Sequence, residues 1–160
     1  MGAQLTKNAK RTCYVAELSA KDIGHHVCLM GWVQRQRDLG SLIFVDLRDR
    51  SGIIQLAFDE NTDKAIFDAA FALRSEYSIC AKGTVRARGE GAVNENLPTG
   101  EIEIEANELV MESASEVTPI YVPDEKADES EDVRLKHRYL DLRREKLHKN
   151  IILRSDVIRF

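Results

Sequence analysis

The chain has 160 residues and a formal net charge of -4, and 43% of its residues are hydrophobic. This length holds one domain with a sizeable core and little more. The negative balance excludes a strongly basic protein that coats nucleic acid regardless of sequence, although a local stripe of arginines could still bind phosphates.

The sequence lacks targeting and membrane signals, which predicts a cytoplasmic protein. No apolar run approaches the roughly 20 residues that a membrane span needs, and the first residues lack the charged and apolar regions of a secretory signal. Cys13, Cys28 and Cys80 show no metal-type spacing, so we expect reduced thiols, two of them packed within strands. Residues 1–10 are polar and unpatterned and are predicted to form a disordered N-terminal extension.

Three strands are predicted first along the chain. Residues 27–38 carry apolar side chains at both odd and even positions, that is, on both faces of the strand, which is typical of a strand that packs on both sides and bends at Gly31. In residues 42–50 alternate side chains are apolar, and Phe44 lies on the polar side. Residues 54–58 alternate in the same way, and the turn residues between these two runs predict a tight hairpin.

A helix and two further strands complete the pattern. Apolar residues at helical spacing predict a helix over 63–77, capped by Thr62 or Asp63. Residues 78–88 and 101–105 then alternate as strands, joined by a long loop rich in turn residues that is a candidate binding loop. Three strands, a helix and two strands is the order of the OB-fold, so the predicted fold class is an all-β, five-stranded Greek-key barrel with one helix.

The chain changes character after the barrel, which is predicted to span residues 11–112. Residues 113–149 contain two prolines and an acidic cluster, which is typical of a linker or hinge. Within them a heavily charged helix is predicted to begin near Ser130, with Tyr139 on its apolar face. The amphipathic run 150–160 is predicted to open a second domain.

The polar side of the predicted sheet carries side chains that suit single-stranded RNA. The candidate binding residues are Arg37, Phe44, Gln55, Arg86, Arg88 and Glu103. The outward Phe44 ring offers a platform for an unstacked base, worth roughly 1–3 kcal/mol per base. Gln55 carries a donor and an acceptor, whereas Glu103 only accepts, so each can select a base edge. The arginines can bind phosphates or a base edge, and Arg37, at a strand end, is favoured as a base reader.

These residues also have a plain structural interpretation. A single exposed phenylalanine is often only apolar surface. Arg48 and Arg50 lie near Asp46 and Asp49 at the hairpin, where cross-strand ion pairs are the favoured interpretation, so we leave these arginines out of the site. Which charged group meets which base is left open by the sequence.

No catalytic constellation is found in the sequence. It contains no phosphate-cradling glycine loop, no paired nucleophile and base, and no metal-ligand spacing, and its four histidines are scattered. We therefore predict that this chain holds no catalytic residue, no metal and no cofactor.

Several stretches resemble the N-terminal region of bacterial-type aspartate–tRNA ligases, which are class II aminoacyl-tRNA synthetases. They are RT (11–12) together with Tyr14, GWV (31–33), RDLGSLIF (37–44), DLRDR (46–50), GTVRAR (83–88), NLPTGEIE (96–103) and RYLDLRR (138–144). The LPTGE loop exit separates this family from the related lysine and asparagine enzymes. Gln36 departs from the family, which usually has a third basic residue there, and is expected to soften phosphate binding.

The resemblance implies that the barrel reads the anticodon GUC of tRNA-Asp through the six candidate residues. It also implies a homodimeric enzyme whose separate downstream domain uses ATP and Mg²⁺ to form aspartyl-adenylate and then passes aspartate to the tRNA. Residues 150–160 would be the truncated start of that class II catalytic domain, so this chain alone is expected to bind tRNA and to be inactive. The residue just after Arg37 and Asp38 varies in this family, and Leu39 at this position favours an enzyme that charges tRNA-Asp only.

Two rival functions are less favoured than the tRNA-binding module. A general single-strand binder would carry aromatics on several strands, whereas here one outward aromatic stands among hydrogen-bonding groups. A protein-interaction barrel would expose a contiguous apolar patch, and the alternation predicts only Leu42, Phe44 and Ile53 on the outer face.

Overall fold

The structure is a computed structural model that describes residues 9–89, 91–122 and 129–160. The strands are His26–Asp38 (β1), Ile43–Arg48 (β2), Ile53–Phe58 (β3), Ser78–Ala87 (β4) and Ile102–Ser113 (β5). The described α-helices are Lys64–Phe71 (α1), Glu131–Lys136 (α2), Arg138–Asp141 (α3) and Glu145–Arg159 (α4). Nearly all of the predicted extension over residues 1–10 lies outside the described residues. Among the described helices, none is long and apolar enough to cross a membrane.

The five strands close into a barrel in the order β1-β2-β3-β5-β4. Neighbouring strands are antiparallel, except that β3 and β5 pair in parallel at Leu56 and Ala57. Alternate apolar side chains of every strand are buried in one core, as the alternation of the sequence predicted for β2 to β5. They include Leu29, Val33, Ile43, Val45, Leu47, Ile54, Leu56, Phe58, Ile79, Val85, Ile102 and Ile104. The predicted OB-fold is therefore confirmed.

Strand β1 closes the barrel because it pairs with two neighbours. Its residues 26–32 pair with β4, and its residues 32–38 pair with β2. Gly31 lies at this change of partner, where a Cβ atom would stand 2.4 Å from the carbonyl oxygen of Arg48. No side chain fits at that distance, so the close approach of the two backbones requires glycine.

The outward side of β1 and β4 is also packed. Cys28 and Cys80 are buried there with their sulfur atoms 3.6 Å apart, and the cysteines are free thiols. Burial raises the pKa of Cys80 to about 12, and the hydrogen bond with Cys28 adds to the rise. The prediction that two of the cysteines serve packing is confirmed.

Helix α1 is shorter than the predicted segment 63–77. Its start is as predicted, because the Asp63 carboxylate accepts a hydrogen bond from the backbone N–H of Ala65 at 2.8 Å. The helix ends at Phe71, and Glu76 then adopts a left-handed φ of 66° before β4 begins. A helical pattern of apolar spacing therefore continued past the true end of the helix.

Gln36 satisfies the C-terminal end of α1. Its side-chain nitrogen donates to the carbonyl oxygens of Ala70 and Phe71, each at 3.2 Å. In the β1–β2 ladder it stands opposite the buried Val45, so its side chain has the opposite parity to that of Arg37. The side chain therefore serves the helix end and not the face of Arg37, and the expectation that Gln36 softens phosphate binding stays a prediction.

Strand β5 extends well beyond the predicted residues 101–105. Its inward alternation runs through Ile104 and Ala106 and is interrupted by a register shift opposite Lys82 and Gly83. An irregularity of this kind changes the parity of the following side chains. Strict alternation in the sequence therefore ends before the strand does, and the strand continues to Ser113.

Residues 116–160 form a second compact unit. Its small core consists of Ile120, Val122 and Leu140, with Val133 packed against them. The predicted continuous helix is interrupted at His137, which separates α2 from α3. Tyr139 is 63% exposed rather than on an apolar face, because the interruption breaks the helical spacing on which that expectation rested.

Helix α4 crosses the boundary that was predicted at residue 150. Glu145–Arg159 is a single helix, although the composition changes from charged to apolar at Ile151. No glycine or proline interrupts this run, so the backbone continues through the change of composition. The predicted division between hinge and second domain therefore falls inside one helix.

Asp49 fixes the β2–β3 hairpin to the segment before β1. Its carboxylate accepts hydrogen bonds from the backbone N–H groups of Val15 at 3.0 Å, Ser51 at 2.7 Å and Gly52 at 3.1 Å. Burial raises the pKa of Asp49, but the hydrogen bonds from Ser51, Val15 and Gly52 outweigh it and lower the pKa below its ordinary value.

We predict that Asp49→Ala lowers the free energy of unfolding by about 1–3 kcal/mol at neutral pH, because several N–H groups lose their acceptor. A carboxyl group with a lowered pKa stabilises the fold above its unfolded-state pKa, and this contribution is lost as the pH falls through the folded-state pKa. The difference between parent and variant should therefore shrink below about pH 4. Urea unfolding at several pH values measures it. Glu60→Ala, at an exposed turn position, is the control and should change stability by less than about 0.5 kcal/mol. Equal stability of the Asp49 and Glu60 variants would contradict the prediction.

Candidate nucleic-acid interface

Strand pairing brings the predicted site residues onto one outer face of the barrel. The directly opposed pairs are Arg37 with Phe44, Gln55 with Asp46, and Glu103 with Arg86. Because β3 and β5 are neighbours in the barrel, these pairs meet near the middle of the face. Arg88 follows directly after the last residue of β4.

A chain of hydrogen bonds joins four of the predicted residues. Arg37 Nη2 donates to Gln55 Oε1 at 2.9 Å, and Gln55 Nε2 donates to Glu103 Oε2 at 2.8 Å. The other carboxylate oxygen of Glu103 accepts from Arg86 Nε, also at 2.8 Å. We call the chain Arg37–Gln55–Glu103–Arg86 the polar network. Donors and acceptors alternate along it, so every internal bond joins complementary groups.

Two carboxylates that were not predicted as site residues hold the ends of the polar network. Asp46 accepts from Arg37 Nη2 at 3.1 Å, and Asp59 accepts from Arg86 Nη1 at 3.2 Å. The parity of the sequence could have identified Asp46, since it shares the outward side of β2 with Phe44. Asp59 directly follows β3, where the alternation has ended, so the sequence carried no such signal for it.

Gln55 and Glu103 are not open to solvent as the alternation predicted. Their exposed fractions are 6% and 7%, although both lie on the outer face. They are less accessible than the side chains of Arg37 and Arg86, which bond to them and are 39% and 32% exposed. A ligand therefore meets the arginines before it reaches Gln55 or Glu103.

The Phe44 ring lies half-buried beneath a cation. The guanidinium carbon of Arg37 is 5.5 Å from the centroid of the ring, within the range of a cation–π contact. The two residues are also direct cross-strand neighbours. The aromatic platform and the polar network are thus connected through one arginine.

Arg86, in β4, and Arg88, just after it, lie in contrasting electrostatic surroundings. Burial lowers the pKa of Arg86, but the hydrogen bond and charge of Glu103, with Asp59 and Glu105, outweigh it and raise the pKa overall. Burial lowers the pKa of Arg88, which the charges of Glu103 and Asp46 offset only in part. Arg86 is therefore the more firmly held cation.

Two guanidinium nitrogens on this face are buried without a partner among the described residues. They are Arg37 Nε and Arg88 Nη2, although Arg88 Nε donates to the carbonyl oxygen of Ile102 at 3.0 Å. A buried donor without an acceptor costs free energy. Both guanidinium groups would therefore gain from a ligand that brings acceptors to this face.

The loop between β4 and β5, predicted as a binding loop, is compact over its described residues 91–100. The backbone of Asn94 bonds to that of Gly100, and a Cβ atom on Gly100 would stand 1.8 Å from the carbonyl oxygen of Asn94. The buried Thr99 hydroxyl donates to the carbonyl oxygen of Ile53 at 2.5 Å. The loop is therefore tied to β3 at its base.

The arginines left out of the site have other partners than predicted. Arg48 donates to both carboxylate oxygens of Glu76 at 2.8 Å, and the Arg50 guanidinium lies 4.2 Å from the centroid of the Tyr14 ring. The expected ion pairs with Asp46 and Asp49 are wrong, because the former bonds to Arg37 and the latter to the hairpin backbone. Within the described part of the chain, no group of His, Cys, Asp and Glu side chains is arranged to hold a metal ion.

Sequence comparison relates this chain to proteins of known name. It is 52% identical over 148 residues to an aspartate–tRNA ligase of Ruminiclostridium cellulolyticum, and this match covers 92% of the chain. It is 48% identical over 149 residues to an aspartate–tRNA(Asp/Asn) ligase of Bacillus cytotoxicus, which covers 93% of the chain. Each match covers 25% of the relative, so the chain spans about a quarter of the length of these proteins.

Structural comparison agrees with the sequence. An asparaginyl-tRNA synthetase from Pyrococcus horikoshii complexed with asparaginyl-adenylate matches 94% of this chain and 32% of its own, with a TM-score of 0.78 and 26% identity. The family of OB-fold nucleic acid binding domains matches residues 27–111, which is more than half of the chain and contains all six predicted site residues. The chain therefore belongs to the family of OB-fold nucleic acid binding domains.

Proposed function

We propose that the barrel recognises the anticodon of tRNA-Asp as the N-terminal module of an aspartate–tRNA ligase. The observation that carries the proposal is the polar network, which lies beside the Phe44 ring on the outer face of an OB-fold. Hydrogen-bonding groups next to a stacking platform are what base readout on a single strand requires. The similarity to proteins named aspartate–tRNA ligases supports the same function.

The proposed readout uses the chemistry of each group. One base of a splayed anticodon stacks at Phe44, beside the Arg37 guanidinium. Gln55 keeps one N–H and one lone pair after its two bonds to the network, which suits the uracil in the middle of GUC. Glu103 accepts only, so it suits an amino or imino edge, and Arg86 and Arg88 supply charge for phosphates or a base edge.

Gln55 and Glu103 are buried in the free protein, so readout involves a movement of the arginines that bond to them. Since Arg37 bonds to Gln55 and lies over Phe44, a base that stacks at Phe44 is placed beside its guanidinium. The spare N–H and lone pair of Gln55 would then bond to the RNA while its bonds to Arg37 and Glu103 are kept.

The remainder of the proposed enzyme lies outside this chain. ATP, Mg²⁺ and aspartate would be used by a separate catalytic domain, which would form the adenylate and charge the tRNA in a cytoplasmic homodimer. This chain would contribute tRNA binding and no catalytic group. Strict specificity for tRNA-Asp remains our proposal from Leu39, which is 66% exposed in the β1–β2 turn beside the site.

The direct test is binding of a short RNA hairpin with the anticodon GUC, compared with the same hairpin carrying cytosine as the middle base. We expect the single change to weaken binding by about 1–3 kcal/mol, the usual cost of losing a bidentate base contact. Affinities are measured by fluorescence anisotropy at physiological salt. Equal affinity for the two hairpins would show that the barrel does not read this base.

The salt dependence of binding separates base readout from general binding of single strands. Arg37 and Arg86 are already paired with carboxylates, so few counterions should be released when RNA binds. We predict that the logarithm of the GUC hairpin affinity falls with the logarithm of salt concentration with a slope shallower than about -2, the value expected for three phosphate contacts on a single strand. A steeper slope, together with equal affinity for unrelated hairpins, would favour a general single-strand binder.

We predict that Phe44→Ala weakens binding of the GUC hairpin by about 1–3 kcal/mol, because the base loses its stacking surface. The matched control is Phe71→Ala, which removes a 54% exposed ring from helix α1, away from the polar network. Thermal unfolding should show native-like transitions for both variants. Parent-like affinity of a folded Phe44→Ala protein would remove this residue from the site.

A further inference from the structure

The orientation of the Gln55 amide is determined by its two neighbours. A guanidinium group can only donate and an ionised carboxylate can only accept. Because Gln55 lies between Arg37 and Glu103, its oxygen must face the former and its nitrogen the latter. The reversed amide would place NH₂ against a guanidinium and a carbonyl oxygen against a carboxylate, so both contacts would be repulsive.

Asp46 holds Arg37, which is one of the two groups that fix this orientation. The same nitrogen, Arg37 Nη2, donates one hydrogen to Asp46 Oδ1 at 3.1 Å and the other to Gln55 Oε1 at 2.9 Å. Asp46 and Gln55 are also directly opposed in the β2–β3 ladder, so the carboxylate keeps the guanidinium above the amide. The side chain of Asp46 is only 21% exposed, which limits the screening of this pair by solvent.

We propose that Asp46 is a positioning residue that sets the base preference at Gln55 by fixing the direction of its amide. Uracil presents an acceptor at O4 and a donor at N3, whereas cytosine presents a donor at N4 and an acceptor at N3. An amide of fixed direction can pair with only one of these edges, but an amide that flips can pair with either. The inference rests on the proposed function, since it concerns how the same site separates uracil from cytosine.

The test compares the affinity ratio for hairpins with uracil or cytosine as the middle base, in the parent, Asp46→Asn and Asp46→Ala proteins. We expect the ratio to fall by up to about tenfold in Asp46→Ala, because Glu103 alone then orients the amide and the reversed amide, which pairs with cytosine, becomes less costly. Asp46→Asn keeps an oxygen acceptor without its charge, so an intermediate ratio is expected. If the alanine variant does not fold, the asparagine variant carries the test. The control is Glu101→Ala, which removes an exposed negative charge just before β5 and should leave the ratio unchanged.

The mobility of the Gln55 amide can also be measured by NMR without RNA. The side-chain amide of Gln55, assigned by comparison with a Gln55→Ala spectrum, should give two sharp proton resonances in the parent protein and broadened ones in Asp46→Ala. A parent that does not separate the hairpins contradicts the proposed function. A parent that separates them, with the ratio retained in both Asp46 variants, overturns this inference alone. An equal loss of affinity for both hairpins would also overturn it, because it would show a purely electrostatic or structural role.

Discussion

Closure of the barrel by β1 is the constraint on which the other features depend. One strand of 13 residues pairs with β4 along its first half and with β2 along its second half, and the change of partner occurs where only glycine allows the backbones to meet. This closure leaves no free edge among the strands of the barrel. It also brings Arg37, at the end of β1, beside Phe44 and within reach of β3.

Part of the outer face is as buried as a protein interior, although its side chains are polar. Gln55 and Glu103 are nearly as buried as the apolar core, yet each hydrogen bond of the polar network joins a donor to an acceptor. Apart from Arg37 Nε, which has no partner among the described residues, the buried polar atoms of the network are paired, and a paired network favours one arrangement of side chains. Such order suits a surface that must discriminate among bases, because the groups are oriented before the ligand arrives.

Charge balance on this face follows from the same contacts. Two of the three arginines that were expected to bind phosphates or a base edge are paired in the free protein, Arg37 with Asp46, and Arg86 with Asp59, Glu103 and Glu105. The net charge of the chain is negative, so neither the whole molecule nor this face offers a strongly basic surface. Selective hydrogen bonding and stacking fit these observations better than attraction to the RNA backbone. The family to which the chain belongs consists of nucleic acid binding domains, which fits a ligand of this kind.

The sequence by itself determined the barrel, the inward side of β2, β3 and β4 and the set of six residues on the polar face, because side-chain parity and turn chemistry are local properties. It did not determine that Gln55 and Glu103 are buried, that Asp46 and Asp59 complete the network, that α1 ends at Phe71 or that α4 passes through residue 150. Those features depend on partners that are far apart in the chain; the bond between Gln55 and Glu103 joins residues 48 positions apart. Parity assigns a side chain to a face, but only the tertiary structure decides which neighbours cover it and which charges hold it.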